Sequence, residues 1–568
     1  MCGIAGIFNI SGEKVQVESL KKMTDSIAHR GPDGEGFWLN SNETIGFGHR
    51  RLSIIDLSDG GRQPMHYLQK RYTIVYNGEI YNYLELKKEL EKAGYHFQSE
   101  SDTEVMLALY DFKKEACLYD LDGMFAFAIW DEQEQELFCA RDRFGEKPFH
   151  YFYNQKTFVF ASEAKALFAL GIKKEIDLVK LQGYITNAVN EYPTETYFRD
   201  ILKLEQGNFL KIKNGEMSIK RYFDLYVETK IFYKNENDYA EHFDELFMTS
   251  IKRRLRSDVP VGTSLSGGLD SSSVVCYIHK ALNGSLNQKA FSARFYDHRH
   301  DEGKWIDIIK NKTGVQHFNV YPNPENTCKD INKMTWSHET PLGSLSNCAQ
   351  YYVMELAKKN NVTVILDGQG ADEFLAGYEP YAQYSQWEHF YNFKFRKFLK
   401  ERNIHYKKYG NRLRLGYFFI PKSLFSKFFL PGNTDNRYFQ SLKSKLRFDL
   451  KYHLPELLTY ADRNAMIHSV ETRLPYLYHE LVNFVLACPT PLIFDNVTTK
   501  VILRNAIKGT VPDEIVNRLD KQNFNPRQDV WLHYFEIPEK FLPKKFSLRH
   551  GPSYWRNYAA AKFMETFS

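Results

Sequence analysis

The chain has 568 residues, with 75 Lys and Arg against 70 Asp and Glu for a formal charge of +5, 43% hydrophobic residues, 33 Gly and 20 Pro. At roughly 150 residues per domain this length holds two to four folded units, each able to bury a core, and the composition excludes a disordered or collagen-like chain. So small a basic excess excludes recruitment of nucleic acid by net charge, and no nucleic-acid partner is expected.

In chain order, the first residues, Met-Cys-Gly-Ile-Ala-Gly-Ile-Phe, have no basic segment before the apolar run and turn polar by Asn9 and Ser11, so no secretory signal is read. Up to about residue 215, β-rich runs at Tyr72–Tyr76, Met124–Trp130 and Thr157–Ala161 alternate with turns and short helical stretches, which predicts a layered α+β domain. Asn214-Gly215 and the polar stretch Lys234–Asp238 place a linker at 216–240, followed by helical periodicity over Tyr239–Arg256. From Val259 the pattern becomes strand, glycine loop, helix, repeated from Val362, which predicts a parallel sheet over 241–535 with ligands beyond the carboxyl ends of its strands. Residues 386–450 interleave aromatic and basic side chains. They read as helices with aromatics inside and basic heads in water, against a binding surface for something anionic. Residues 536–568 read as a C-terminal tail. Gly416–Leu430 is too short and too interrupted to span a membrane, so no integral membrane segment is expected. Seven scattered cysteines, without CxxC or metal-ligand spacing, fit a reducing compartment and a cytoplasmic protein.

Cys2 carries its own base once Met1 is removed. A free α-amine titrates at about 7.7 to 8.0 and a thiol at about 8.5, so the amine can take the thiol proton near neutrality. The competing reading is an inert cysteine on a buried first strand. Asn77-Gly78 offers an amide and an N–H for an oxyanion hole, or, more simply, a hairpin turn.

Met1–Gly6, His29-Arg-Gly-Pro-Asp33, His49–Asp56, Tyr76-Asn-Gly-Glu-Ile-Tyr81, Ser101-Asp-Thr-Glu104 and Ala140–Gly145 together resemble the N-terminal-nucleophile glutaminase domain of class II glutamine amidotransferases. The resemblance implies an αββα sandwich with glutamine as ammonia donor and Cys2 as nucleophile. It further implies Asn77 and Gly78 at the oxyanion, Arg51 on the glutamine α-carboxylate, Glu79 and Asp102 on its α-ammonium, and Leu52 among the glutamine-binding residues. An arginine fork suits a carboxylate, and carboxylates suit an ammonium; taken singly, Arg51 and Asp102 read as surface charges.

Ser266-Gly-Gly-Leu-Asp-Ser-Ser272, between a predicted strand and helix, is an anion cradle without the Gly-Lys-Ser/Thr ending of a kinase-type P-loop; a tight glycine turn is the plainer reading. It resembles the pyrophosphate loop of the ATP-pyrophosphatases, and Leu366-Asp-Gly-Gln-Gly-Ala-Asp-Glu373 resembles the second nucleotide motif of the asparagine synthetase branch. The stretches Tyr460–Met466, Ser469–Pro475, Thr499–Arg504 and Asp520–Phe524 continue that resemblance. It implies an α/β ATP-pyrophosphatase domain of the adenine-nucleotide α-hydrolase kind that forms an acyl-adenylate. Leu265, Ser266, Gly267, Gly268, Asp270, Ser271, Ala293, Asp367, Gly368 and Lys521 would then hold ATP, with Lys500 and Arg504 as further basic candidates. Asp270, Asp372 and Glu373 would serve Mg²⁺ and pyrophosphate; an Asp-Glu pair alone reads as a helix-start feature.

The family pattern has Ser and Glu where this chain has Asp367 and Gln369, and that glutamate is associated with the acceptor and its adenylate. The expected function is ATP- and glutamine-dependent amide formation, first with aspartate as acceptor. The alternatives are another carboxylate, such as a sugar uronate or a peptide, and a non-catalytic scaffold that binds glutamine or nucleotide. A homodimer is compatible with the resemblance.

Overall fold

The structure is a computed structural model and describes residues 1–225, 230–284, 288–295, 301–391, 393–409, 441–495, 498–519, 528–537 and 552–568. Twelve strands build the first half: β1 (Gly3–Asn9), β2 (Gly34–Leu39), β3 (Ile45–Arg51), β4 (Met65–Tyr67), β5 (Tyr72–Ile80), β6 (Gly123–Asp131), β7 (Glu136–Arg141), β8 (His150–Tyr153), β9 (Thr157–Ala161), β10 (Leu202–Lys203), β11 (Asn208–Lys213) and β12 (Glu216–Arg221). They form two six-stranded antiparallel sheets, in the orders β10-β8-β9-β1-β3-β2 and β12-β11-β7-β6-β5-β4. Alternation along each strand sorts side chains by face. Ile4, Phe47, Val75, Ala126, Ala128 and Phe160 meet between the sheets. Ala5 and Ile7 point the other way, under the helix Val17–Ser26, while Ile74 and Tyr76 pack beneath the helices Tyr83–Lys92 and Asp102–Lys113. The expected αββα sandwich results.

The second half carries five parallel strands, β13 (Val261–Ser264), β14 (Lys289–Ala293), β15 (Gln316–Val320), β16 (Val364–Leu366) and β17 (Glu471–Arg473), in the order β15-β14-β13-β16-β17. The inner strand β16 (Val-Ile-Leu) is apolar throughout and fully buried, as a strand covered on both faces requires. Val364 and Leu366 pack toward the helix Leu269–Ala281, and Ile365 toward the helix Leu345–Lys359.

Three boundaries differ from expectation. The linker at 216–240 opens with a strand, because Asn214 (φ 53°) and Gly215 (φ 80°) form a left-handed two-residue hairpin turn between β11 and β12; it closes inside the helix Glu236–Arg254. Residues 536–568 are more than a tail, since the helix Pro552–Phe567 buries Trp555, Tyr558, Phe563 and Phe567 against Leu181, Tyr197 and Phe198 of the first half. Within 386–450 the helices Phe395–Tyr409 and Leu442–Tyr452 form, with Phe398 buried but Phe393 and Phe395 exposed, so the aromatics there are only partly inside. Among the described residues no helix is long and apolar enough to cross a membrane; Gly416–Leu430 lies outside them. All seven cysteines are free.

Candidate active sites

β5 runs unbroken through Asn77-Gly78, with Asn77 opposite Ala126 and Gly78 opposite Phe125 of β6. The hairpin-turn reading is thereby corrected, because nine consecutive residues find ladder partners. A Cβ on Gly78 would lie 2.1 Å from the Met124 carbonyl oxygen, so glycine lets the two strands close. The adjacent β1 brings Cys2 alongside: its N–H donates to Asn77 Oδ1 at 3.0 Å. A backbone N–H can only donate, which fixes the amide orientation and sends Nδ2 the other way. Asn77 is fully buried, and Nδ2 has no partner among the described residues. The Cys2 thiol lies 3.9 Å from the Leu52 carbonyl, and burial pushes it above the ordinary thiol range. Met1 is present, and its ammonium sits 2.9 Å from Glu471 Oε2 at the start of β17, both groups fully buried.

Arg51 is oriented by its own loop, donating through Nη1 to the Ser58 carbonyl at 2.8 Å and through Nη2 to the Asp56 carbonyl. Asp102, in the first turn of its helix, accepts from the Tyr76 hydroxyl and the Ile80 N–H at 2.9 Å each. Burial raises its carboxyl to about 6. Glu79 is pushed well above the usual carboxylate range by burial, then by Glu471. Arg473 Nη2 stands 3.5 Å from Glu79, and its Nε donates to Glu471 at 2.5 Å. Cys2, Arg51, Asn77, Gly78, Glu79 and Asp102 are thus gathered by β1, β3, β5 and one helix start.

At the carboxyl ends of β13, β14 and β16 a cavity of about 250 Å³ is lined by Leu265, Ser266, Ser271, Ala293, Asp367 and Gln369 among the expected residues. Ser266 N–H and Gly268 N–H bond the Ser271 and Ser266 hydroxyls at 3.1 and 3.3 Å. Gly267 has φ 75°, and Gly368 lies against the backbone of Asp270 and Ser271, so the two glycine loops touch. Asp367 Oδ1 accepts from the Gln369 N–H at 3.1 Å, and burial raises its carboxyl. Beside the cavity, Lys500 Nζ sits 2.5 Å from Asp270 and 2.6 Å from Asp372. Burial opposes its charge, yet the two carboxylates raise its pKa. Lys500 holds this place from a left-handed backbone position (φ 58°), unusual for a non-glycine residue. Glu373 accepts from the Tyr378 hydroxyl at 2.6 Å. Lys521 lies outside the described residues.

Sequence reasoning gave no role to the charges between the halves. Arg30 donates to the Cys2 carbonyl at 3.1 Å, to Asp462 bidentately at 2.8 and 3.0 Å, and to Glu163 at 2.8 Å. Arg463 pairs with Glu163 and Glu339 at 2.7 and 3.0 Å. All are buried. Arg30, Asp462, Glu471 and Arg473 stand inside the matched motifs. The signal was their sequence setting, charges flanked by apolar and small residues, but pairing across more than 400 positions is invisible in one sequence.

Comparison with known proteins places these sites among relatives. The family described as "Glutamine amidotransferase domain" matches residues 1–223, and that described as "Asparagine synthase" matches 242–565. Glutamine-hydrolyzing asparagine synthetase 1 of Bacillus subtilis is 33% identical over 91% of this chain and 86% of its own length. Synthetase 3 of the same organism is 31% identical over the same shares. Amidase chry2 of Gibberella zeae is 29% identical over 93% of this chain and 89% of its own.

Proposed function

Since this chain belongs to the glutamine-hydrolysing asparagine synthetase family and is a glutamine-dependent amidotransferase, we propose that it uses ATP to activate a carboxylate as its adenylate and amidates it with ammonia from glutamine. The observation that carries this reading is the path of β17. Glu471 at its start meets the chain's amino terminus beside Cys2, and the Arg473 carbonyl at its end accepts the Asp367 N–H at 2.9 Å in the second glycine loop. Arg473 Nη2 also reaches Glu79 at 3.5 Å, so this one short strand touches both the surroundings of Cys2 and the second glycine loop, which supports a coupling of the two reactions.

In this reading Met1 is removed, and the α-amine of Cys2 takes the thiol proton as Sγ attacks the glutamine amide carbon. The oxyanion is received by the orphaned Asn77 Nδ2 and the Gly78 N–H. Arg51, held by two carbonyls, takes the α-carboxylate beside Leu52, and Glu79 and Asp102 take the α-ammonium. Ammonia leaves with a proton, and water cleaves the thioester to glutamate. In the second half the Ser266–Ser271 loop receives phosphate oxygens, and Leu265 and Ala293 border the nucleotide. Ammonia then attacks the acyl-adenylate and expels AMP. Passage inside the protein keeps ammonia unprotonated and nucleophilic.

Among the described residues no three or more His, Cys, Asp or Glu gather as a metal-binding group. Mg²⁺, however, needs only one or two carboxylates beside substrate phosphates. Asp270 and Asp372, which already converge on one cation at Lys500, fit that donor set, whereas Glu373 is turned to Tyr378. Bound there, Mg²⁺ would neutralise charge on the departing pyrophosphate. Aspartate is the acceptor that the relatives' names suggest; Gln369 favours a second reading, a different carboxylate. Incubation with glutamine, ATP, Mg²⁺ and each candidate carboxylate should yield amide and AMP in equal amounts. Glutamate release without acceptor-dependent AMP would overturn the proposal.

A further inference from the structure

Resting on the amidotransferase reading above, we infer that the acceptor is a hydroxylated carboxylate of the sugar-acid class, without an ammonium group, recognised through its hydroxyls by Gln369 and Asn347. Both residues line the 250 Å³ cavity. Gln369 Oε1 is buried without a donor and Asn347 Nδ2 is buried without an acceptor among the described residues, and Asn347 is 8% exposed. A buried amide left half-satisfied costs free energy unless something completes it. A hydroxyl both donates and accepts, so a polyol can satisfy both atoms.

Aspartate presents different chemistry. Its α-ammonium needs a carboxylate with acceptor capacity to spare, and position 369 offers a neutral amide. Asp367 is the one carboxylate on the described lining, and one of its oxygens already accepts from the Gln369 N–H at 3.1 Å. The described lining also carries no Lys, Arg or His for a second carboxylate; its polar side chains are hydroxyls and amides such as Ser346, Gln350 and Tyr460. Desolvating an ammonium against such groups is unfavourable, whereas hydroxyls exchange water for them at little cost.

The test supplies the full-length protein with glutamine, ATP and Mg²⁺ and one of L-aspartate, a short peptide ending in a carboxylate, glucuronate, galacturonate or their uridine-diphosphate forms. AMP and the mass of the amide are followed. A uronate, free or nucleotide-linked, should give kcat/KM at least about tenfold above aspartate, the low end of what a lost charge-assisted contact brings. Gln369→Glu should shift that ratio toward aspartate by about ten- to hundredfold, and Asn347→Ala should raise the uronate KM more than it lowers kcat. Circular dichroism and the thermal midpoint report whether each variant is folded. Asparagine and AMP from aspartate with none from any uronate, a peptide amide, or an acceptor ratio unmoved by Gln369→Glu would overturn the acceptor assignment while leaving the amidotransferase reading intact. AMP formation with no carboxylate at all, even with ammonium salts replacing glutamine, would overturn both.

Discussion

Asn77 has the less expected geometry of the two oxyanion candidates. Its Oδ1 is spent on the Cys2 N–H and its Nδ2 is buried without a partner among the described residues, a cost that in the proposed reaction would pre-organise the donor for a charge that appears only during catalysis. Replacing Asn77 with Ala should lower glutamine turnover by about 10²–10³-fold while amide formation from ammonium salts persists; steady-state assays with the two nitrogen donors separate these. Asp102 gives a pH signature. Burial raises its carboxyl to about 6 from 3.8, so the charged form that an ammonium needs is lost as pH falls through about 6. The KM for glutamine should therefore rise by about tenfold per unit below that point, and Asp102→Asn should remove the inflection. A profile of log(1/KM) against pH checks both.

At the scale of elements, β5 and the helix Leu454–Met466 decide most. A Cβ at Gly78 meets the Met124 carbonyl oxygen at 2.1 Å, backbone that moves only with the whole β5–β6 pair. Gly78→Ala should cost about 1–3 kcal/mol in chemical denaturation and misplace Asn77. The helix Leu454–Met466 sends Leu457 and Tyr460 to the 250 Å³ cavity and Asp462 to Arg30, which in turn holds the Cys2 carbonyl. Asp462→Ala leaves a buried guanidinium half-paired and should destabilise by about 3–5 kcal/mol. Denaturant midpoints of this variant and of the Arg30→Met, Asp462→Leu pair distinguish an unpaired charge from lost packing, with the double variant recovering most of the loss.

Across the whole molecule, the two halves share a core. Helices from the second half, Pro324–His338, Leu345–Lys359 and Pro552–Phe567, join the apolar cluster of Ala5, Ile7 and the helix Val17–Ser26 on the outer side of the β1 sheet, and the Phe198 ring lies 5.6 and 5.2 Å from those of Phe563 and Phe567. Deleting residues 552–568 should expose Leu181, Tyr197 and Phe198, lower the thermal midpoint and promote aggregation; scanning calorimetry and light scattering on the shortened chain check this. The same shared face predicts that residues 1–223 alone are less stable than in the full chain.

The motifs around Cys2 and the two glycine loops made the glutamine-dependent amidotransferase family legible in the sequence, since such motifs are local in the chain. Periodicity gave the layered first half and the parallel sheet for the same reason: alternation and strand–loop–helix order are written in neighbouring residues. Asn77-Gly78 was ambiguous because a dipeptide does not reveal whether a partner strand stands beside it, and only β6 decides that. Lys500 looked like one basic residue among several until Asp270 and Asp372 converged on it from other loops. The helix at the C-terminus read as a tail because its apolar face matches a surface more than 300 residues away. The sequence determined by itself which reactive groups this protein carries and the local backbone that presents them. The tertiary structure alone decided which buried charges are paired, which amides of the 250 Å³ cavity are left unsatisfied among the described residues and how the two halves join, because those depend on contacts between distant residues that desolvate one another.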